Sequence, residues 1–124
     1  MAHILVIDDE APVRTMLRKM LETGGHRVSE AADGNEGLEM FAAAGADLVI
    51  SDIIMPEKEG VETIIALRRQ YPEVKIIAIS GGGRKANFDF LDFAKRLGAD
   101  RVLRKPFRKE QLLEAVRACL GGGD

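Results

Sequence analysis

The sequence has few of the features that make disulfides, secretory leaders or membrane spans. Its 124 residues include one cysteine, Cys119, so no internal disulfide can form. Cys119 shares a helical apolar stripe with Val116, and we interpret it as an ordinary buried residue. No run approaches the ~20 apolar residues that a spanning helix needs, and the amino terminus lacks a leader pattern. We therefore expect a soluble, cytoplasmic protein.

A strong excess of one charge is also lacking. With 18 Lys and Arg against 20 Asp and Glu, the net charge of -2 gives no general reason to expect nucleic acid or a membrane as the main partner. The charges are nevertheless segregated along the chain. Residues 1–83 carry 8 basic and 14 acidic side chains, whereas residues 84–124 carry 10 basic and 6 acidic ones.

The length and the hydrophobic share of 46% predict one domain, over residues 1–120, with a flexible Gly-rich tail at 121–124. Five short aliphatic runs are typical of strands: 4–7, 27–30, 48–51, 74–79 and 101–103. Between them lie five segments with helical apolar spacing, the first over Val13 to Leu21 and the fourth capped by Asn87. This alternation predicts an α/β fold, with a parallel sheet and helices on both faces.

Polar side chains directly follow four of the predicted strands. Asp8 and Asp9 follow the first strand, Asp52 the third, Ser80 the fourth and Lys105 the fifth. In an open parallel sheet, ligands bind outside the carboxyl ends of the strands, so we expect these groups to converge. Each has an ordinary alternative taken singly, because an Asp often forms a turn or caps a helix and a lysine is usually solvated.

The chemistry of this set points to a metal ion and a phosphoryl group. Carboxylates about 4 Å apart repel by roughly 4 kcal/mol at an effective dielectric of 20, so Asp8, Asp9 and Asp52 need a cation to coexist as anions. Oxygen-only ligands suit Mg²⁺. A carboxylate can also attack phosphorus to form an aspartyl phosphate, while Ser80 and Lys105 would stabilise the transferred oxygens.

The whole chain resembles the receiver domain of two-component response regulators, especially the single-domain, chemotaxis-regulator-like kind. The motifs are Asp8-Asp9-Glu10 after an apolar strand, Asp52-Ile53-Ile54-Met55-Pro56 with Gly60 following, Ser80, and Gly98-Ala99-Asp100 leading to Lys105-Pro106-Phe107. The resemblance implies a doubly wound, flavodoxin-like sheet of five strands in the order 2-1-3-4-5 with five helices. It also implies a cis Lys105-Pro106 bond.

The resemblance assigns roles to matching positions: Asp52 as phosphoacceptor, Asp9 as a direct Mg²⁺ ligand, Asp8 as a ligand mainly through water, Ile54 as a ligand through its backbone carbonyl, Lys105 as a phosphoryl ligand, and Ser80 as a hydroxyl that swings toward the phosphate. The donor would be a sensor histidine kinase, a phosphotransfer protein or a small phosphodonor. The chain would thus be a stand-alone signalling protein and not an enzyme, since it catalyses only its own phosphorylation and dephosphorylation.

Two departures from the family pattern affect the output. Val102 stands where most relatives carry an aromatic side chain that reports phosphorylation, and a β-branched residue is a poor two-state reporter. The segment after Ser80 is longer than usual and contains three glycines. We therefore predict a switch at residues 81–88, with Phe88 and the basic face of the fourth helix, fifth strand and fifth helix as the partner surface. The alternative is that these basic residues form an ordinary solvated surface.

Other function classes match the sequence less well. An Asp-nucleophile, Mg²⁺-dependent phosphohydrolase usually needs an acid two residues after its nucleophile, yet Ile54 stands there. The glycines after Ser80 have neither of the common nucleotide-binding spacings. A docking domain with a vestigial pocket would not need the complete acidic set. A receiver that relays phosphate or acts as a phosphate sink, without output, stays open.

Overall fold

The computed structural model describes residues 2–53, 59–80 and 95–121, and the side chains of residues 59, 60 and 80 lie outside that description. Its sheet has five parallel strands: β1 His3–Ile7, β2 Arg27–Ala31, β3 Leu48–Asp52, β4 Ile76–Ser80 and β5 Arg101–Arg104. The spatial order is β2-β1-β3-β4-β5, which confirms the predicted order. The predicted fourth strand began two residues too early, because the amide of Val74 donates to the Tyr71 carbonyl in the preceding turn.

Helices connect the strands across both faces of the sheet. Those with described bounds are α1 Ala11–Thr23, α2 Gly34–Ala44, α3 Glu59–Gln70 and the C-terminal helix Lys109–Gly121. Residues 95–97 are also helical, directly before the turn that leads into β5, whereas the predicted cap Asn87 lies outside the described residues. No helix in the described part of the chain is long and apolar enough to span a bilayer.

Local sequence signals set the helix ends. Pro12 lies in the first turn of α1, where its missing N–H has no intrahelical partner to lose. Gly25 follows the helix with φ +88°, a conformation that side chains disfavour. At α2, the Asp33 carboxylate accepts the Glu36 amide at 2.8 Å, and the Glu36 carboxylate accepts the Ala32 amide at 2.8 Å. This reciprocal cap fixes the start of α2.

The core has two layers, one on each face of the sheet. Alternate strand residues face opposite layers, so Ile4 and Val6 pack beside α1 and the C-terminal helix, whereas Leu5 and Ile7 pack beside α2 and α3. Cys119 is buried in the first layer, as predicted. These layers bury the three central strands β1, β3 and β4 on both faces, and the polar residues of the site lie at the edge where these strands end.

Arg68 joins several segments at the amino edge of the sheet, where the strands begin. Its guanidinium donates to three carbonyl oxygens at 2.7 to 2.8 Å, those of Pro72, Val74 and Gly98. It also pairs with the Asp100 carboxylate at 2.9 Å, and that carboxylate accepts the Ile76 amide. One side chain on α3 therefore connects the segments that enter β4 and β5.

Candidate functional site

The carboxyl edge of the sheet brings the predicted acidic residues together. β1 and β3 are neighbours with Ile7 opposite Ser51, so Asp8, which follows β1, lies beside Asp52, the last residue of β3. One carboxylate oxygen from each of Asp8, Asp9 and Asp52 lies within 4.8 Å of the other two. Asp8 and Asp52 are buried, whereas Asp9 is exposed. The structure therefore assembles the three acids that the sequence predicted as one group.

The two carboxylate oxygens of Asp8 differ in their hydrogen bonding. Its Oδ1 accepts the amide of Glu10 at 2.8 Å, and its own amide donates to the Ala31 carbonyl on β2. Its Oδ2 is buried and accepts no hydrogen bond from any residue in the described part of the chain. Burial raises the pKa of Asp8 to about 6, and the negative charge of Asp52 adds to this rise.

Lys105 supplies a positive charge to the same edge. It directly follows β5, the neighbour of β4, and its Nζ is 3.5 Å from Asp52 Oδ2 and 3.9 Å from Asp8 Oδ2. The side chain is 22% exposed, so the ammonium can reach a ligand that enters from solvent. The Lys105-Pro106 bond is cis, as the resemblance predicted.

The remaining predicted residues are described only in part. Ser80 is the last residue of β4 and follows Ile79, the sheet partner of Asp52, but its side chain lies outside the description, as does Ile54. The predicted switch at 81–88, including Phe88, also lies outside the described residues. Val102 pairs with Ala78 in the sheet and packs, partly buried, against the second core layer. Its surroundings are those of a packing residue.

The acidic group fits a magnesium ion. A buried carboxylate oxygen without a hydrogen-bond donor is costly, and Asp8 Oδ2 is such an atom, so a cation or a water that the cation holds would satisfy it. Mg²⁺ binds through one or two carboxylates at about 2.1 Å and keeps several waters. A set of three oxygens that spans up to 4.8 Å suits an ion bound directly by some acids and through water by others.

The structure adds a residue that sequence reasoning missed. Arg14 on α1 donates from Nη1 to the backbone carbonyl of Asp8 at 2.6 Å, and its Nε lies 3.3 Å from Glu30 Oε1 on β2. Neither Arg14 nor Glu30 belongs to the motifs that the sequence analysis found at the strand ends. The spacing of six residues between Asp8 and Arg14 is a weak signal, because an arginine in the second turn of a helix is usually solvated.

Comparison with known proteins identifies the family. Residues 4–117 match the family model of the response regulator receiver domain. The chain belongs to this family. The receiver domain is 37% identical to the sensor kinase CckA of Brucella abortus over 96% of this chain and 12% of CckA. It is 36% identical to the response regulator MprA of Mycolicibacterium vanbaalenii over 95% of this chain and 50% of MprA. The chain thus spans about half the length of MprA.

Solved structures agree with the family. A response regulator receiver domain protein from Clostridium thermocellum superposes on this receiver domain with a TM-score of 0.87 at 31% identity, over 98% of this chain and 96% of that one. The chemotaxis protein CheY4 of Vibrio cholerae gives a TM-score of 0.84 at 34% identity, over 97% and 99% of the two chains. This chain therefore has the receiver fold of response regulators, which are components of two-component signalling systems.

Proposed function

We propose that this receiver domain, over residues 1–120, accepts a phosphoryl group on Asp52 from a histidine kinase, a phosphotransfer protein or a small phosphodonor. The observation that carries the proposal is the convergence of Asp8, Asp9, Asp52 and Lys105 at one sheet edge, where Asp8 keeps a buried oxygen without a donor. Three carboxylates and one ammonium are the charges needed to hold Mg²⁺ and a phosphoryl group together.

Each residue has a distinct task in the transfer. A carboxylate oxygen of Asp52 attacks phosphorus; the bond to the donor's imidazole nitrogen breaks, and its electron pair stays on that nitrogen. The Lys105 ammonium pairs with the phosphoryl oxygens, and its distance of 3.5 Å from Asp52 Oδ2 already places it beside the acceptor. Bound Mg²⁺ would neutralise charge on the same oxygens. Asp8 and Asp9 would hold that ion, with the backbone carbonyl of Ile54.

The conformational signal would start at the Ser80 hydroxyl and leave through residues 81–88. Support comes from the sequence of that segment and from Val102. This valine is partly buried against the core, and it stands where an aromatic side chain would otherwise report phosphorylation. A partner would then contact Phe88 and the nearby basic face. Addition of beryllofluoride, a phosphoryl mimic, should shift the backbone amide resonances of 81–88; shifts confined to Asp52 and its immediate neighbours would contradict this path.

Phosphorylation is tested by incubation with acetyl phosphate and Mg²⁺, followed by intact mass. The wild type should gain the mass of one phosphoryl group, Asp52→Asn should not, and Asp47→Asn should behave as the wild type because Asp47 binds the His3 amide at the opposite edge. An unmodified wild type, or equal modification of Asp52→Asn, would overturn the proposal. Steady turnover of a small phosphate ester would instead support a phosphohydrolase.

A further inference from the structure

Hydrogen bonds fix Asp8 at three of its polar groups: the backbone amide, the backbone carbonyl and the carboxylate oxygen Oδ1. Its amide donates to the Ala31 carbonyl at 3.1 Å, its Oδ1 accepts the Glu10 amide at 2.8 Å, and its carbonyl accepts Nη1 of Arg14 at 2.6 Å. Within the described residues, Oδ2 accepts no hydrogen bond, and the Lys105 ammonium lies 3.9 Å from it. The third of these bonds comes from a side chain and acts on the peptide unit that joins Asp8 to Asp9.

The position of Arg14 is itself fixed from the other side. Its Nε lies 3.3 Å from Glu30 Oε1, and the Arg14 side chain is 17% exposed. Glu30 lies on β2, opposite Val6 of β1, so the carboxylate is anchored to the strand next to the one that ends at the site. The planar guanidinium can serve the carbonyl and the carboxylate at once, which a single ammonium cannot do in this fork geometry.

We propose that Arg14 is a positioning residue for the Mg²⁺ site, which orients the Asp8-Asp9 peptide through its fork between the Asp8 carbonyl and Glu30. This inference rests on the proposed function, because it needs Mg²⁺ to bind at the acidic group. Partners that orient metal ligands from behind usually change metal affinity by about 10- to 100-fold when they are lost.

The direction of the effect separates positioning from plain electrostatics. Arg14 is a cation close to an acidic metal site, so removal of its charge alone would strengthen Mg²⁺ binding. Loss of positioning would weaken it. Arg18 provides a matched control, because it lies one turn later on α1 and also pairs with Glu30, at 2.5 Å. The hydrogen bonds and ion pairs of the described residues include none between Arg18 and Asp8.

The experiment compares Arg14→Met with Arg18→Met, since methionine keeps much of the apolar stem while removing the charge. Mg²⁺ is titrated at constant ionic strength, and the Kd is read from the amide resonances of Asp8 and Asp9. We expect about tenfold weaker binding for Arg14→Met. For Arg18→Met we expect a Kd within about twofold of the wild type. In chelator, the Asp9 amide should shift in Arg14→Met and stay in place in Arg18→Met.

Several outcomes would overturn the inference. Equal or tighter Mg²⁺ binding in Arg14→Met would show that only charge matters, and equal weakening in both variants would show a general effect of the Glu30 ion pairs. Arg14→Lys keeps the charge and provides a second test if Arg14→Met does not fold. It should remain several-fold weaker than the wild type, and full wild-type affinity would contradict the need for a fork. A wild type that binds no Mg²⁺ would overturn the proposed function itself.

Discussion

Asp8 combines burial with a fixed orientation, and the two together determine how its charge behaves. The residue is 1% exposed, its Oδ1 is used by the Glu10 amide, and the Asp52 carboxylate lies nearby. Both burial and the like charge favour the protonated form, which explains a pKa of about 6. Without a metal ion, and at a pH between 3.8 and about 6, the folded protein therefore holds a proton on Asp8 that the unfolded chain has already released.

This difference predicts a pH dependence of stability in chelator. The folded pKa of Asp8, about 6, lies above its ordinary value of 3.8, so its stabilising contribution is complete below pH 3.8 and is lost as pH rises through 6. The full contribution is about 3 kcal/mol. Urea unfolding should show that the wild type gains stability relative to Asp8→Asn between pH 7 and about pH 4. A difference in unfolding free energy that does not change with pH would contradict a raised pKa for the buried Asp8 carboxyl.

Among the described residues, Asp52 lies close to charges of both signs. Its charge is repelled by Asp8 and Asp9 and attracted by Lys105 at 3.5 Å. At an effective dielectric of 20, each repulsion is roughly 3 to 4 kcal/mol and the attraction roughly 4 to 5 kcal/mol, so the two repulsions exceed the one attraction. Exposure of Asp9 screens part of this sum.

Asp52→Asn should therefore stabilise the metal-free protein by about 1–2 kcal/mol. The measurement is thermal unfolding in chelator at neutral pH, with Asp47→Asn as the control at the opposite edge. A melting temperature that is unchanged or lower in Asp52→Asn would mean that Lys105 outweighs the two carboxylates. The same variant should gain less from Mg²⁺ than the wild type does, since it offers one anionic ligand fewer.

At the scale of the elements, the approach of α2 to β1 positions the end of that strand. A Cβ on Gly37 would lie 2.4 Å from Ile7 Cδ1 and 2.8 Å from Cγ1, and both residues are buried. Ile7 is the last residue of β1 and directly precedes Asp8. Glycine at this position therefore allows the helix to pack against the strand that delivers the acidic pair.

Gly37→Ala should destabilise the protein by about 1–3 kcal/mol, because the clash with a buried isoleucine exceeds the gain of about 1 kcal/mol in helix propensity. Gly121→Ala in the C-terminal helix is the control, since a Cβ there meets no atom within 4 Å. Equilibrium urea unfolding measures both. A neutral or stabilising Gly37→Ala would show that Ile7 can change rotamer without cost.

The order of elements follows from the sequence because apolar runs and helical spacing report directly on burial. The acids at the strand ends could be predicted for the same reason, since a parallel sheet brings its carboxyl ends to one edge. Arg14 could not be predicted in this way. Arg14 binds a backbone carbonyl, and because every residue has one, the sequence does not indicate which carbonyl a side chain will bind. The same holds for Arg68, whose guanidinium binds three backbone carbonyls that converge only in the folded chain.

At the scale of the whole molecule, metal binding should appear as stability. Mg²⁺ binds the assembled acids and finds no such cluster in the unfolded chain, so at tenfold above its Kd it should stabilise the fold by about 1.4 kcal/mol. This corresponds to a rise in melting temperature of roughly 3–6 °C for a domain of this size. Differential scanning calorimetry at constant ionic strength measures it, with Asp8→Asn/Asp9→Asn as the control. An equal rise in the double variant would place the ion elsewhere.

The Arg68 contacts at the opposite edge have a consequence for how the molecule opens. Asp100 and Ile76 are joined by two hydrogen bonds. The Asp100 amide donates to the Ile76 carbonyl, and the Ile76 amide donates to the Asp100 carboxylate, which also pairs with Arg68. These two amides should exchange with deuterium only when the entire domain unfolds, while amides at the carboxyl edge exchange through smaller openings. The beginnings of β4 and β5 would then act as a fixed pivot, so that rearrangement of their far ends leaves the register of the sheet intact.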